Sequence, residues 1–233
     1  KPADNLGHPV LGSLDAVTPA SNGTYDVRKF TLAQLEQLSV TCRNANGYCT
    51  DKTYFNPSIS YSFTSYDAFL DLAYNHFLET GVAIGVFPEA KQSGLDVAEA
   101  ILAGLTNAKY NGYFTTPGRA LTQSFNAAQV DYLNTNSSIP VSYLGVCPNT
   151  ATGAAAVAAI ADGIGPSAGQ LSAACVQAAH DAGMTVTPYT FLNNPATYEA
   201  AYNLGVDGVF TNYPDIAVTV RDQVFGPATP VPE

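Results

Sequence analysis

Charge is scarce in this chain. Asp, Glu, Lys and Arg make up 12% of its 233 residues, against roughly 25% in an ordinary globular protein. Basic residues are scarcer still: nine Lys and Arg stand against nineteen Asp and Glu, a formal net charge of −10. They form no patch, so binding to nucleic acid through its phosphates is excluded. No apolar run reaches the roughly 20 residues of a membrane-spanning helix, and no signal-peptide pattern is present. The chain therefore reads as mature and soluble. Phosphate loops are also missing: neither G-x-G-x-x-G nor GxxxxGK[ST] occurs, which removes the usual mark of an open nucleotide-binding sheet. The three histidines, His8, His76 and His180, enter no Ser-His-Asp or Cys-His arrangement. His76 falls off the apolar stripe of its helical stretch, and His180 lies opposite the apolar face of its own. Both read as surface residues.

What is present is an apolar fraction of 46%, enough for a sizeable core, with the polar quota filled by Asn, Thr, Ser and Tyr. Four cysteines occur. Cys42 and Cys49 bracket the polar loop "CRNANGYC", where a small disulfide is the simplest reading and a two-ligand metal site the rival. Cys147 and Cys175 read equally as a second bridge or as two buried thiols. "NGT" at Asn22 and "NSS" at Asn136 are glycosylation acceptors. Low charge, paired cysteines and two acceptors together predict a secreted, extracellular protein.

Residues 1–60 read as a loop-rich lead segment with one helical signal, "TLAQLEQL", for which Thr31 is the cap. "SYDAFLDLAYNHFL" then places Tyr66, Phe69, Leu70, Ala73 and Phe77 at helical spacing behind Ser65. From residue 82, apolar runs alternate with helical patterns. The runs cover 82–87, 119–125, 141–146, 159–165, 185–191 and 206–210. Strands apolar on both faces and separated by helices imply a parallel sheet covered by helices. The fold class is therefore α/β, either an open doubly wound sheet or most of a (β/α)8 barrel. The barrel portion spans 61–223, and 224–233 reads as a Pro-rich tail or linker.

In a barrel, function sits at the C-terminal ends of the strands. Those ends carry Glu89 and Lys91, Gln123 and Ser124, Tyr143, Tyr189 and Thr190, and Thr211 and Asn212. Glu89 is a hard oxygen donor suited to Ca²⁺ or Mg²⁺. Lys91 can neutralise a phosphate oxygen, and the tyrosines can wall a pocket for a small polar or cationic head group. A phosphodiester bound beside a metal fits this set. On pattern alone, Glu-x-Lys after a strand is equally an ordinary solvated turn.

Five segments, in order and at suitable spacing between about Phe30 and Ala217, resemble the glycerophosphodiester phosphodiesterase family. "FTLAQLEQL" is similar to its lead-in helix and "VAIGVFPEAKQ" to its third strand with E-x-K. "RALTQSFNAAQVDYL" is similar to its Q-S-F segment. "AIADGIGPSAGQLSAACVQAAHDAGMTVTPYTFLN" and "LGVDGVFTNYPDIA" resemble its last three strands. The wording is closest to the secreted and plant-like branch. The resemblance implies a TIM-type barrel that hydrolyses glycerophosphodiesters to sn-glycerol 3-phosphate and an alcohol, with a divalent cation, Ca²⁺ or Mg²⁺, as cofactor. Glu89 matches the metal-binding Glu and Lys91 the phosphate-contacting Lys. Gln123 and Ser124 match pocket positions, and Tyr189 stands where many members carry Trp or Tyr.

The chain departs from the family pattern in its first third. No H-R-G and no E-x-D occurs anywhere in it, so strands three to eight are recognisable while strands one and two have no counterpart. His8, in "GHPVL", is the one candidate for a family catalytic histidine, with Pro9 where the family has Asp. Asn212 replaces the usual Asp of T-D-[YF]-P. Two readings follow: an enzyme whose chemistry is incomplete in this chain, or a catalytically inactive secreted barrel serving as a structural, assembly or binding module. Either way an uncovered strand edge is a liability, so an upstream segment or another chain is expected to cover the 82–87 edge.

Overall fold

A computed structural model of the chain describes residues 29–40, 58–59, 61–91 and 94–227. The readings placed on His8, Asn22 and the Cys42–Cys49 pair lie outside these residues. The chain divides into two compact units, residues 1–71 and 72–233.

In the first unit, helix α1 covers Leu32–Leu35. Thr31 caps it as expected: its hydroxyl accepts from Gln34 N–H, and the Gln34 side chain accepts from Thr31 N–H in return. Strand β1 (Ser39–Val40) pairs antiparallel with β2 (Tyr61–Ser62). Helix α2, Tyr66–Thr80, begins in this unit and ends in the second, with the Ser65 hydroxyl accepting from Ala68 N–H.

The second unit is a five-stranded parallel sheet in sequential order. Its strands are β3 (Glu89–Ala90), β4 (Thr122–Ser124), β5 (Val141–Leu144), β6 (Gly163–Gly165) and β7 (Thr185–Val186). Helices α3 (Asp96–Leu105), α4 (Ala127–Asn136), α5 (Ala151–Ala158), α6 (Ala173–Asp181), α7 (Pro195–Asn203) and α8 (Pro214–Phe225) complete the alternation. Side chains of Asn126, Thr150, Ser172 and Asn194 each accept a backbone N–H at the start of α4 to α7. These polar residues stop the chain from continuing as strand and satisfy donors that a helix start leaves open.

The last apolar run, 206–210, runs alongside β7. Asp207 N–H donates to Val186 O, Phe210 N–H to Pro188 O and Phe191 N–H to Phe210 O, and Phe191 bridges Thr211 in parallel. Phe87 and Phe210, from the first and last of these stretches, meet with ring centroids 5.1 Å apart. Ile164, Val176, Val186, Tyr198 and Ala201 anchor the core between sheet and helices. Glycine is required where the sheet is tightest: a Cβ on Gly163 would collide with Thr185 Oγ1, and one on Gly165 with Leu144 Cδ2.

Three boundaries differ from the sequence reading. The 159–165 run enters the sheet only at Gly163, because Ala159 still closes the Ala-rich helix α5. The tail assigned to 224–233 begins later, since α8 continues through Phe225. In the 82–87 run only Val86 pairs, with Ala120, while Val82 and Ile84 are exposed. Ile84 instead has both backbone groups held by one side chain: its N–H donates to Tyr113 Oη (3.1 Å), which donates to its C=O (3.0 Å). Arg119 lies over Tyr113 and Phe77 at 5.2 and 5.1 Å, fixing that ring. Cys147 and Cys175 form a disulfide, Cα atoms 5.4 Å apart, which joins the segment after β5 to α6. Asn136 is exposed at the end of α4.

Candidate functional site

Register decides which side chains meet. Glu89 pairs with Gln123, Gln123 with Ser142, and Ser142 with Gly163. Residues paired in parallel strands project to the same face, and their chain neighbours to the other. Glu89 and Gln123 therefore share a wall, and the residues two positions on continue it. A cavity of about 390 Å³ opens at this end of the strands, lined among others by Glu89, Lys91, Gln123, Phe125, Tyr189 and Thr190. Seven of the residues expected at strand ends, Glu89, Lys91, Gln123, Tyr189, Thr190, Thr211 and Asn212, thus come together.

Ser124 does not line this cavity. It has the opposite parity to Gln123 and is fully buried. Its hydroxyl lies 2.9 Å from Ala90 O and 2.6 Å from Gln129 Oε1, and accepts from Asn126 N–H at 3.0 Å. Gln129, also buried, donates from Nε2 to Gly94 O at 2.5 Å. Ala90 and Gly94 bracket Lys91, so this polar cluster anchors the backbone on either side of the lysine.

Sequence reasoning missed Phe125. It projects with Gln123 rather than with Ser124, is half exposed, and meets Tyr189 edge-to-face at 5.5 Å. The strand alternation Gln123–Ser124–Phe125 was the signal that could have found it. Tyr189 is held by its backbone, with its N–H donating to Pro166 O and its C=O accepting from Ala168 N–H. His180 sits elsewhere, its Nε2 3.0 Å from Asp207 Oδ2. Tyr143 and Ser124 share a register position, so Tyr143 also faces away from the cavity.

Lys91 Nζ stands 3.4 Å from Glu89 Oε2. This pair gives the cavity one cation and one anion at its rim. A divalent cation needs several oxygen donors. Glu89 already faces an ammonium, and no group of three His, Cys, Asp or Glu that could hold an ion occurs among the described residues. These residues alone do not fit a metal.

The family model for glycerophosphoryl diester phosphodiesterases matches residues 7–216, and the chain belongs to that family. No curated protein matches it significantly. Solved structures share the fold. A Silicibacter pomeroyi protein assigned as a glycerophosphoryl diester phosphodiesterase superposes with a TM-score of 0.70 at 20% identity, over 89% of this chain and 75% of that one. An Oleispira antarctica phosphodiesterase in complex with sn-glycerol-3-phosphate gives 0.62 at 18% identity, over 86% and 74%. An Agrobacterium tumefaciens glycerophosphodiester phosphodiesterase gives 0.58 at 19%, over 90% and 77%. With its sequential parallel strands and intervening helices, the second unit is a (β/α) barrel portion of this type.

Proposed function

We propose that the cavity binds a glycerophosphodiester, with hydrolysis to sn-glycerol 3-phosphate and an alcohol as the reaction. One observation carries this reading: Glu89, Lys91, Gln123 and Tyr189, from three strand ends distant in sequence, line one cavity. Its volume lies within the range of small-molecule sites. The Lys91 ammonium neutralises a phosphate oxygen, Gln123 offers an amide to the polar half of the substrate, and the Phe125–Tyr189 wall packs against the departing alcohol. In the reaction a water oxygen bonds to phosphorus and the bond to the alcohol breaks. The Ca²⁺ or Mg²⁺ implied by the family pattern needs donors beyond Glu89, and His8 is the candidate acid–base group. A secreted, plant-like branch member is supported by the Cys147–Cys175 disulfide and the exposed Asn136 acceptor. The exposed Val82 and Ile84 support a covering segment or second chain at the 82–87 edge.

A second reading has its own support. H-R-G and E-x-D do not occur in the chain, and Glu89 has no carboxylate or histidine cluster around it among the described residues. On that reading the barrel binds phosphodiesters without cleaving them. Incubating the natural protein with glycerophosphocholine and Ca²⁺ or Mg²⁺ separates the two. Release of sn-glycerol 3-phosphate supports the enzyme; binding without turnover leaves the binding module.

A further inference from the structure

Among the described residues, two buried side-chain oxygens lack a hydrogen-bond partner: Gln123 Oε1 and Ser142 Oγ. Both residues are more than nine-tenths buried, at 5% and 3% exposure. They are also neighbours. Gln123 of β4 pairs with Ser142 of β5, so their side chains share one face, and Gln123 lines the cavity. Other polar groups nearby are satisfied. Gln123 Nε2 donates to Phe87 O at 3.3 Å, and Thr122 Oγ1 to Pro140 O at 3.3 Å. A buried polar atom left unpaired keeps its full desolvation penalty, and each such atom in a folded chain calls for an explanation. Two side by side, next to a cavity, point to a guest group.

We infer that Gln123 and Ser142 form a hydroxyl-binding floor that receives an alcohol group of the glycerol moiety; this rests on the phosphodiester reading above. The chemistry is complementary. An alcohol has one O–H to donate and two lone pairs to accept with. Gln123 Oε1 only accepts, and the Ser142 hydroxyl can donate. One guest hydroxyl satisfies both. Gln123 stands at the cavity wall, and with its Nε2 held on Phe87 O the Oε1 is left as its unpaired acceptor. Lys91, further along the same wall, holds the phosphate while the floor holds the polyol. The pair thereby selects a polyol phosphate over a simple phosphate.

Calorimetric titration of the whole chain with three ligands tests this: inorganic phosphate, sn-glycerol 3-phosphate, and 3-hydroxypropyl phosphate, which lacks the secondary hydroxyl. sn-Glycerol 3-phosphate should bind about tenfold tighter than the deoxy analogue, the scale of one hydrogen bond. Ser142→Ala should bring that ratio near one. Because the wild-type hydroxyl is unpaired, Ser142→Ala should also melt no lower than wild type, which a purely structural serine would not allow. Equal affinity of wild type for the two organophosphates overturns the floor while leaving phosphate binding in place. Retained discrimination in Ser142→Ala overturns it as well. If none of the three ligands binds, the phosphodiester reading fails and the floor falls with it.

Discussion

Lys91 Nζ lies 3.4 Å from Glu89 Oε2, the lysine side chain 73% exposed and the glutamate 19%. An ion pair this open contributes only about 0–1 kcal/mol to stability. Its value lies in placing an ammonium at the mouth of the cavity. Lys91→Met should therefore leave the urea midpoint almost unchanged. It should weaken inorganic phosphate binding about tenfold, on the scale of one charge-assisted hydrogen bond. Unchanged phosphate affinity, measured by calorimetry, would remove Lys91 from the site.

Ser124 and Gln129 show the opposite balance. Ser124→Ala removes the hydroxyl that meets Gln129 Oε1, Ala90 O and Asn126 N–H in a buried cluster. A loss of about 1–3 kcal/mol is expected, read from denaturant unfolding. Ligand affinity should fall less than in Lys91→Met, since Ser124 only anchors the backbone beside the lysine.

Tyr113 replaces a neighbouring strand for Ile84 by taking both its backbone groups. Tyr113→Phe keeps the ring packing and removes only the hydroxyl. Amide exchange at Ile84 should accelerate markedly while Val86, paired to Arg119 O, stays protected. Equal exchange at Ile84 in both proteins would refute that role.

The Cys147–Cys175 bridge closes a loop with a sequence separation of 28. Chain-entropy arguments put its contribution at about 3–4 kcal/mol. Cys147→Ser with Cys175→Ser should lower the denaturant midpoint accordingly without altering phosphate affinity.

Tyr202 sets a limit at high pH. Burial pushes its phenol above the ordinary value of 10.0, partly offset by Arg221 and reinforced by Tyr198. Its hydroxyl donates to Ala217 O at 3.1 Å. A raised folded-state pKa means its contribution is fully present below pH 10 and is lost as pH climbs towards the folded value. Stability should fall in that window in wild type, and Tyr202→Phe should flatten the fall.

Several helices carry their own start signal, as Thr31, Asn126, Thr150, Ser172 and Asn194 show, whereas α3 and α8 begin without a side-chain cap and rest on apolar spacing. Strand lengths were not legible. An apolar run such as 82–87 reports burial and β-branching, whereas strand identity needs a neighbour, which only Val86 finds among the described residues. The site was half legible. Glu89, Lys91, Gln123 and Tyr189 follow from strand ends and family motifs. Ser124 was placed with Gln123 although alternation sends it to the other face, and Phe125 was overlooked for the same reason. Ser142 carries no motif at all, and only its register beside Gln123, which lines the cavity, picks it out.

The most direct test of the central claim is a backbone amide NMR titration with sn-glycerol 3-phosphate. The account predicts saturable shifts concentrated at Glu89, Lys91, Gln123, Phe125, Ser142 and Tyr189. No saturable shift, or shifts confined to residues away from this cavity, would contradict it.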